Sequence, residues 1–391
     1  MIAIVLLFLI LWGTIVFVQN LHQATEEALT YKVFLLPEKA VESGIAVVIP
    51  AYNEAENIRD CVLAALNSTD AAEVEVWVVD DQSIDETLAI VQTLQEKLSD
   101  PRLKVLAGEP RPTGEVWVGK NWACTQAVQQ TQAEFLLFLD ADVRLQPGAI
   151  ASALQVMQTE QVDLLTLLPT IVCGCLGEWL AQPLITSLLA VGLRFGEVNN
   201  PESETVFAVG PFMLFRRSAY EQLGGHAAVA SEVVEDVELA RRIKQKGLKL
   251  RYGVGLDLAN VRMYRSTAAL WEGWTKNWHL GSRRNFFATL YTAVIVLWTC
   301  TGPWLGLLLS VNAATAGISW LKLLAIALSL ISISLHYWLR RDLQRLTGIP
   351  PRYWWLGGVG GIFVAAIALA SIIKTETGWG WTWRGRSLKQ S

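Results

Sequence analysis

The sequence predicts an α/β domain on a mixed, mostly parallel sheet, with transmembrane helices at both ends of the chain. Three observations carry this prediction. Short, nearly continuous apolar runs recur from Ile45 to Phe215, as strands covered on both faces require. Segments of helical periodicity separate the runs, the alternation of a βαβ sheet. Apolar blocks approaching or exceeding the roughly 20 residues that cross a bilayer lie outside this region.

The first block, Ile2 to Val18, has no charge, no basic stretch before it and no small-residue cleavage site after it. A retained anchor over residues 1–20 is expected rather than a cleaved signal. Further blocks at 286–313, 318–338 and 354–373 predict about three transmembrane helices within 286–375. An interfacial segment, 266–285, precedes them and a basic tail, 376–391, follows. Lys32 and Lys39 follow the first block, Arg283 and Arg284 precede the second, and Arg340, Arg341, Arg345 and Arg352 follow the third. The loop 311–317 has no basic residue. Basic residues favour the cytoplasmic side, so the domain at 40–265 is expected in the cytoplasm, at a bacterial inner membrane. One feature conflicts with this. Three crossings after the domain would put Lys374, Arg384, Arg386 and Lys389 outside. Either the tail breaks the rule or one block does not span. The candidates are the fourth, with Gly357-Gly358 and Gly360-Gly361, and the second, with Gly302-Pro303 in its middle.

The 391 residues have room for two or three domains, and 52% of them are hydrophobic. Mean hydropathy is +0.34, high for a soluble protein. A net charge of -4 and the lack of a basic, aromatic-interleaved patch argue against nucleic acid. Most of the 17 Trp fall beyond residue 270, as rings at a membrane interface would. Of the five Cys, only Cys173 and Cys175 are close, and without a second pair or a nearby His they read as reduced thiols rather than a zinc site.

Strands are expected at Ile45–Ile49, Val74–Val79, Leu103–Leu106, Phe135–Leu139, Leu164–Leu168 and Phe207–Phe215. Ile58, Val62 and Leu66 share one helical face, and Leu88, Val91 and Leu94 another. In such sheets ligands sit at the carboxyl ends of the strands. Those ends carry Pro50-Ala51-Tyr52-Asn53-Glu54, then Asp80-Asp81-Gln82-Ser83, then Asp140-Ala141-Asp142. Carboxylates gathered in one crevice repel one another unless a cation or a ligand with donors joins them. Mg²⁺ or Mn²⁺ takes hard oxygen ligands, and a D-x-D at a strand end supplies them. Asp142 is the expected direct ligand, with Asp140 reaching the metal or the ribose. Lys120, in Gly119-Lys120-Asn121-Trp122-Ala123 at a helix start, is placed to meet phosphate. From Glu232 to Lys246 the periodicity is helical and Gly247 ends it. Glu235 and Asp236 fall in the first turn, where either dipole stabilisation or chemistry accounts for acids.

The segments "VVIPAYNEAENI", "VVDDQSIDET", "VGKNWA", "LFLDADV" and "VVEDVELARRIKQKG" resemble, in this order, those of family 2 glycosyltransferases. The match spans about Ile45 to Gly253. With "VGPFMLFRRSAY" and "WTWRGRS", the chain looks like their membrane-bound branch associated with hopanoid or carotenoid biosynthesis. The resemblance implies the GT-A fold (a Rossmann-like nucleotide-sugar-binding domain), a divalent metal, and inverting transfer from a nucleotide sugar, usually UDP-linked. By motif, Pro50, Tyr52 and Glu54 line the nucleotide pocket, Asp81 holds the base, and Asp80 supports that loop or the ribose. Asp140 and Asp142 form the metal motif, and Asp236 matches the catalytic base with Glu235 beside it. The Q-x-x-R-W motif of many processive members is missing from "EGWTKNWHLGSRRNFF". Transfer of one sugar to a lipid or terpenoid hydroxyl is therefore expected over polymer synthesis.

Arg283 or Arg284 is a candidate clamp for the diphosphate. The apolar stretch Trp179 to Phe195 reads equally as an interfacial helix near the acceptor or as an ordinary buried one. A nucleotidyltransferase would show a glycine-rich phosphate loop where "PAYNEAEN" stands. An oxidoreductase would show G-x-G-x-x-G after the first strand. A non-catalytic nucleotide-binding scaffold would be expected to line a membrane path with charges, and the apolar blocks have almost none.

Overall fold

The computed structural model describes residues 2–35 and 43–387, so Lys39, Lys389 and positions 40–42 lie outside the described residues. The chain forms two compact units. One comprises Ala28–Val172 and Phe195–Met263; the other comprises Met1–Glu27, Cys173–Arg194 and Tyr264–Ser391. The segment Cys173–Arg194, expected within the 40–265 domain, groups instead with the terminal helices.

In the first unit the strands are β1 (Ile45–Ala51), β2 (Val74–Asp80), β3 (Leu103–Ala107), β4 (Phe135–Leu139), β5 (Val143–Leu145), β6 (Leu164–Leu168), β7 (Thr170–Ile171), β8 (Phe212–Arg216), β9 (Leu250–Val254) and β10 (Ala259–Val261). Among the described residues, seven form one sheet in the order β3-β2-β1-β4-β8-β6-β9. Every pairing is parallel except those of β8, which runs antiparallel to β4 and β6. Ile45 to Ile49 and Phe135 to Leu139 are buried throughout. Helices cover both faces of such strands, so their sequence has no alternation to show. Strand β8 starts at Phe212 rather than Phe207. Pro211 has no N–H, and the Val209 N–H is drawn off to Thr166 Oγ1 at 3.0 Å. A small sheet, β5-β10-β7, was not foreseen, because its strands are only two or three residues long and show no period.

In the second unit, Ile2–Leu29, Leu176–Leu193, Phe286–Thr315, Trp320–Thr347 and Trp354–Thr377 are, among the described residues, helices long and apolar enough to cross a membrane. The stretch Trp179 to Phe195, expected as an interfacial or a buried helix, falls largely within Leu176–Leu193. Pro303 does not break its helix. A π-helical turn, Leu297–Thr301, precedes it and leaves Pro303 in the first turn of Gly302–Thr315, where a missing N–H costs little.

The glycines of the last helix, Gly357–Thr377, bring backbones together. A Cβ on Gly361 would stand 2.5 Å from Thr301 Oγ1 and 3.1 Å from Val296 O. Thr301 Oγ1 donates to Gly358 O at 2.8 Å. At the other end of this helix, Ser371 Oγ accepts the His279 N–H at 2.9 Å, and His279 Nδ1 lies 2.8 Å from Thr289 Oγ1. The last helix is therefore antiparallel to Phe286–Thr315. It starts level with the middle of that helix and ends beside its beginning. Small residues permit this approach. Gly361→Val should lower the thermal midpoint in detergent, by an overpacking cost of about 1–3 kcal/mol. Gly361→Ala should lie between it and the parent.

Candidate active site

Strands β2, β1 and β4 are neighbours and end at one edge, where the three acidic segments begin. Antiparallel β8 enters the sheet at this same edge, Phe212 opposite Leu139, which puts Gly210 beside Asp140. A Cβ on Gly210 would stand 3.2 Å from Lys120 Nζ, 3.3 Å from Asp236 Oδ2 and 3.7 Å from Asp140 Oδ2. Segments far apart in the chain thus meet in one hollow.

Lys120 Nζ lies 2.7 Å from Asp140 Oδ1 and 2.7 Å from Glu235 Oε1. Burial works against its charge, but the two carboxylates outweigh burial and hold the ammonium well above its ordinary range. Asp236 Oδ2 accepts the Gly210 N–H at 2.9 Å and Oδ1 accepts the Val237 N–H at 2.8 Å. Burial, then the neighbouring Glu235 charge, push the Asp236 carboxyl up to about 7, against the opposing pull of Lys120 and the two amides.

On the other flank, Asp81 is buried and pairs with Arg111 at 3.1 Å. Gly119 abuts the Asp81 carboxylate so closely that a Cβ would collide with it, which accounts for a glycine before Lys120. Asp80 Oδ2 accepts the Ser83 N–H at 3.1 Å, while its buried Oδ1 has no hydrogen-bond partner among the described residues. The loops after β1 and β2 are tied together. Asn53 N–H donates to Ser83 Oγ at 2.9 Å, Ile84 N–H to Asn53 Oδ1 at 3.0 Å, and Glu54 N–H to Thr87 Oγ1 at 2.8 Å. Pro50 and Tyr52 are half-buried at this edge, and the Glu54 carboxylate accepts Asn57 Nδ2 at 2.9 Å. Arg283 and Arg284 belong to the other unit.

The donor set suits a divalent ion. Asp140 Oδ1 is taken by Lys120, but Oδ2 faces the Gly210 hollow, and Asp142 follows two residues later. Among the described residues no group of three or more His, Cys, Asp or Glu is assembled for a metal. Mg²⁺ is typically held by one or two carboxylates, with phosphate and water completing the shell.

Two residues that sequence reasoning did not single out hold the hollow in shape. Asn121 is fully buried, and its Nδ2 donates to Val229 O at 2.7 Å, Ala230 O at 3.2 Å and Glu232 O at 3.0 Å. It pins the turn that leads into the Glu235–Gln245 helix. Lys244 Nζ, near the end of that helix, donates to the carbonyls of Glu197, Asn200, Ser203 and Thr205 at 2.7–3.1 Å. It fastens the loop that delivers Gly210. In sequence both look like ordinary helix polars, because carbonyl partners leave no sequence signal. Asn121→Ala should cost about 1–3 kcal/mol in chemical unfolding, since buried carbonyls lose their donor. It should also lower kcat more than it raises the donor KM.

A Glycosyl transferase family 2 model matches residues 46–224. The 4,4'-diaponeurosporenoate glycosyltransferase of Staphylococcus haemolyticus is 28% identical over 284 residues, covering 71% of this chain and 72% of that one. Its namesake from Staphylococcus aureus (strain MRSA252) is 25% identical over 262 residues, and this chain spans 65% of its length. The mannosyltransferase PcManGT of Pyrobaculum calidifontis, solved with GDP-Man and Mn²⁺, superposes with a TM-score of 0.51 at 17% identity, over 96% of this chain and 99% of that one. A mixed, mostly parallel sheet, the acidic edge and these similarities agree on a GT-A fold, and residues 46–224 match the family 2 glycosyltransferase model.

Proposed function

We propose that the chain is a membrane-bound, inverting glycosyltransferase that moves one sugar from a nucleotide sugar, a UDP-sugar in the first instance, to a hydroxyl of a lipid or terpenoid acceptor. One observation carries the reading: Asp236, its carboxyl raised toward neutrality, shares a hollow with Lys120 and the Asp140 carboxylate at the sheet edge. The names of the staphylococcal relatives support a carotenoid-type acceptor.

In this reading Pro50, Tyr52 and Glu54 line the nucleotide pocket, Asp81 meets the base, and Asp80 supports the ribose side. Lys120 lies where a diphosphate would arrive. Asp236, oriented by the Gly210 and Val237 amides, takes the acceptor's proton. The acceptor oxygen bonds to the anomeric carbon as the bond from that carbon to the diphosphate oxygen breaks. A divalent ion on Asp142 and Asp140 would neutralise charge on the leaving diphosphate.

We also infer the membrane arrangement. Leu176–Leu193 does not cross, because β6 before it and β8 after it are paired in one sheet and so share one side of the bilayer. The last helix returns from mid-depth to the side where Phe286–Thr315 begins. Ile2–Leu29, Phe286–Thr315 and Trp320–Thr347 cross; Gly357–Thr377 is re-entrant. The tail then lies with the catalytic domain in the cytoplasm, at a bacterial inner membrane, and its Arg residues satisfy the charge rule.

Membranes from expressing cells should move label from UDP- or GDP-sugars into organic-extractable product, more with Mn²⁺ than without. Asp236→Asn should lose roughly 10²–10⁴-fold in kcat, the usual worth of a general base. Asp142→Ala should lose the Mn²⁺ response. Transfer at parental rates by both variants would sink the assignment. The base works only as a carboxylate, so kcat/KM should rise with pH through about 7 and then level off. Lys120→Met removes a charge that lowers the Asp236 value, so that midpoint should move upward.

A further inference from the structure

Pro183 lies inside the Leu176–Leu193 helix and has no N–H, so the carbonyl of Trp179, four residues earlier, lacks its helical partner. Arg340, on Trp320–Thr347, fills the gap. Its two terminal nitrogens donate to Trp179 O at 3.4 and 3.3 Å. Both contacts are long, both fall on one oxygen, and a carbonyl brings no negative charge. Arg340 is only 2% exposed, and among the described residues no carboxylate pairs with it. Asp342, two residues on, is engaged by His22 at 3.2 Å and Arg345 at 3.7 Å.

A second buried polar group shares this helix face. His336, one turn earlier, is 4% exposed. Its Nε2 lies 2.9 Å from Thr299 O, which can only accept, so Nε2 carries the proton. Nδ1 is then a bare lone pair, buried without a partner among the described residues. The same helix has no Asp, Glu, Lys or Arg between Lys322 and Arg340. A guanidinium withdrawn from water into such surroundings calls for an anion, and an ionisable group within an apolar helix marks a site.

We propose that Arg340 receives the head of an anionic amphiphile, a carboxylate or phosphate carried on an apolar chain. The planar guanidinium offers paired donors that fit two oxygens of such a head better than one carbonyl. A carboxylate-headed acceptor and an anionic membrane phospholipid share this chemistry. The site stands whether or not the chain transfers sugar.

The test titrates the full chain, in a neutral detergent, with oleate, phosphatidylglycerol, oleyl alcohol or phosphatidylcholine while the thermal midpoint is followed. Saturable stabilisation by the two anions, absent with the alcohol and the zwitterion, is expected. A stronger response to oleate assigns a carboxylate head, and a stronger response to phosphatidylglycerol a phosphate head. Arg340→Gln should weaken either anion at least tenfold, and Arg340→Lys less. Equal responses to charged and neutral amphiphiles, or a Gln variant that responds as the parent does, would overturn the proposal. If the Gln variant does not fold, native mass spectrometry of the parent in equal mixtures decides. Preferential retention of the anionic lipid upholds the site and indifference removes it.

Discussion

The hollow at the sheet edge depends on one ammonium group. Lys120 Nζ sits within 2.7 Å of both Asp140 and Glu235. Without it, these carboxylates and Asp236 would face one another with no positive charge between them, and repulsion would open the cleft or force protons onto it. With it, two acids have direct cation contact and the third does not. Burial and the neighbouring Glu235 charge raise the proton affinity of Asp236, and its two amide contacts and Lys120 oppose this only in part. Adjacent acids in one helical turn thereby receive different environments and become chemically distinct.

Holding an ammonium between two segments nearly a hundred residues apart requires a rigid frame. The Gly119–Gln129 helix supplies three consecutive devices. Gly119 lets the helix start against Asp81, Lys120 spans the hollow, and Asn121 grips the turn before Glu235. The reversed strand β8 supplies the fourth side. In an all-parallel sheet, every strand would leave from this edge and none would enter it. One antiparallel strand brings a strand start, with the Gly210 amide that donates to Asp236, to where the others end.

The helical unit is held by different physics. In a bilayer, apolar side chains would gain little from meeting one another, and here close backbone approach and polar contacts join the helices. Gly358, Gly360 and Gly361 stand where any side chain would strike a neighbour. Thr301, His279 and Ser371 supply hydrogen bonds between helices. Each helix break is likewise matched: the π-helical turn accommodates Pro303, and Arg340 covers the carbonyl freed by Pro183.

From its sequence alone the chain determined β1, β2, β3, β4 and β6, the acidic strand ends, the helix start that carries Glu235 and Asp236, and the apolar blocks. All of these are local: burial on both faces, periodicity and charge are written in consecutive residues. The sequence could not order the strands, because pairing partners are distant, and it therefore missed the reversal that brings Gly210 beside Asp140. It could not find Asn121 or Lys244, whose partners are carbonyls identical in every residue. It placed Lys120 at a helix start suited to phosphate, and the tertiary structure adds that its ammonium lies between two carboxylates. The packing of the last helix, which starts level with the middle of Phe286–Thr315, was equally hidden. Length and hydropathy say that a segment is able to cross a membrane, but where it begins is fixed by the helices packed against it.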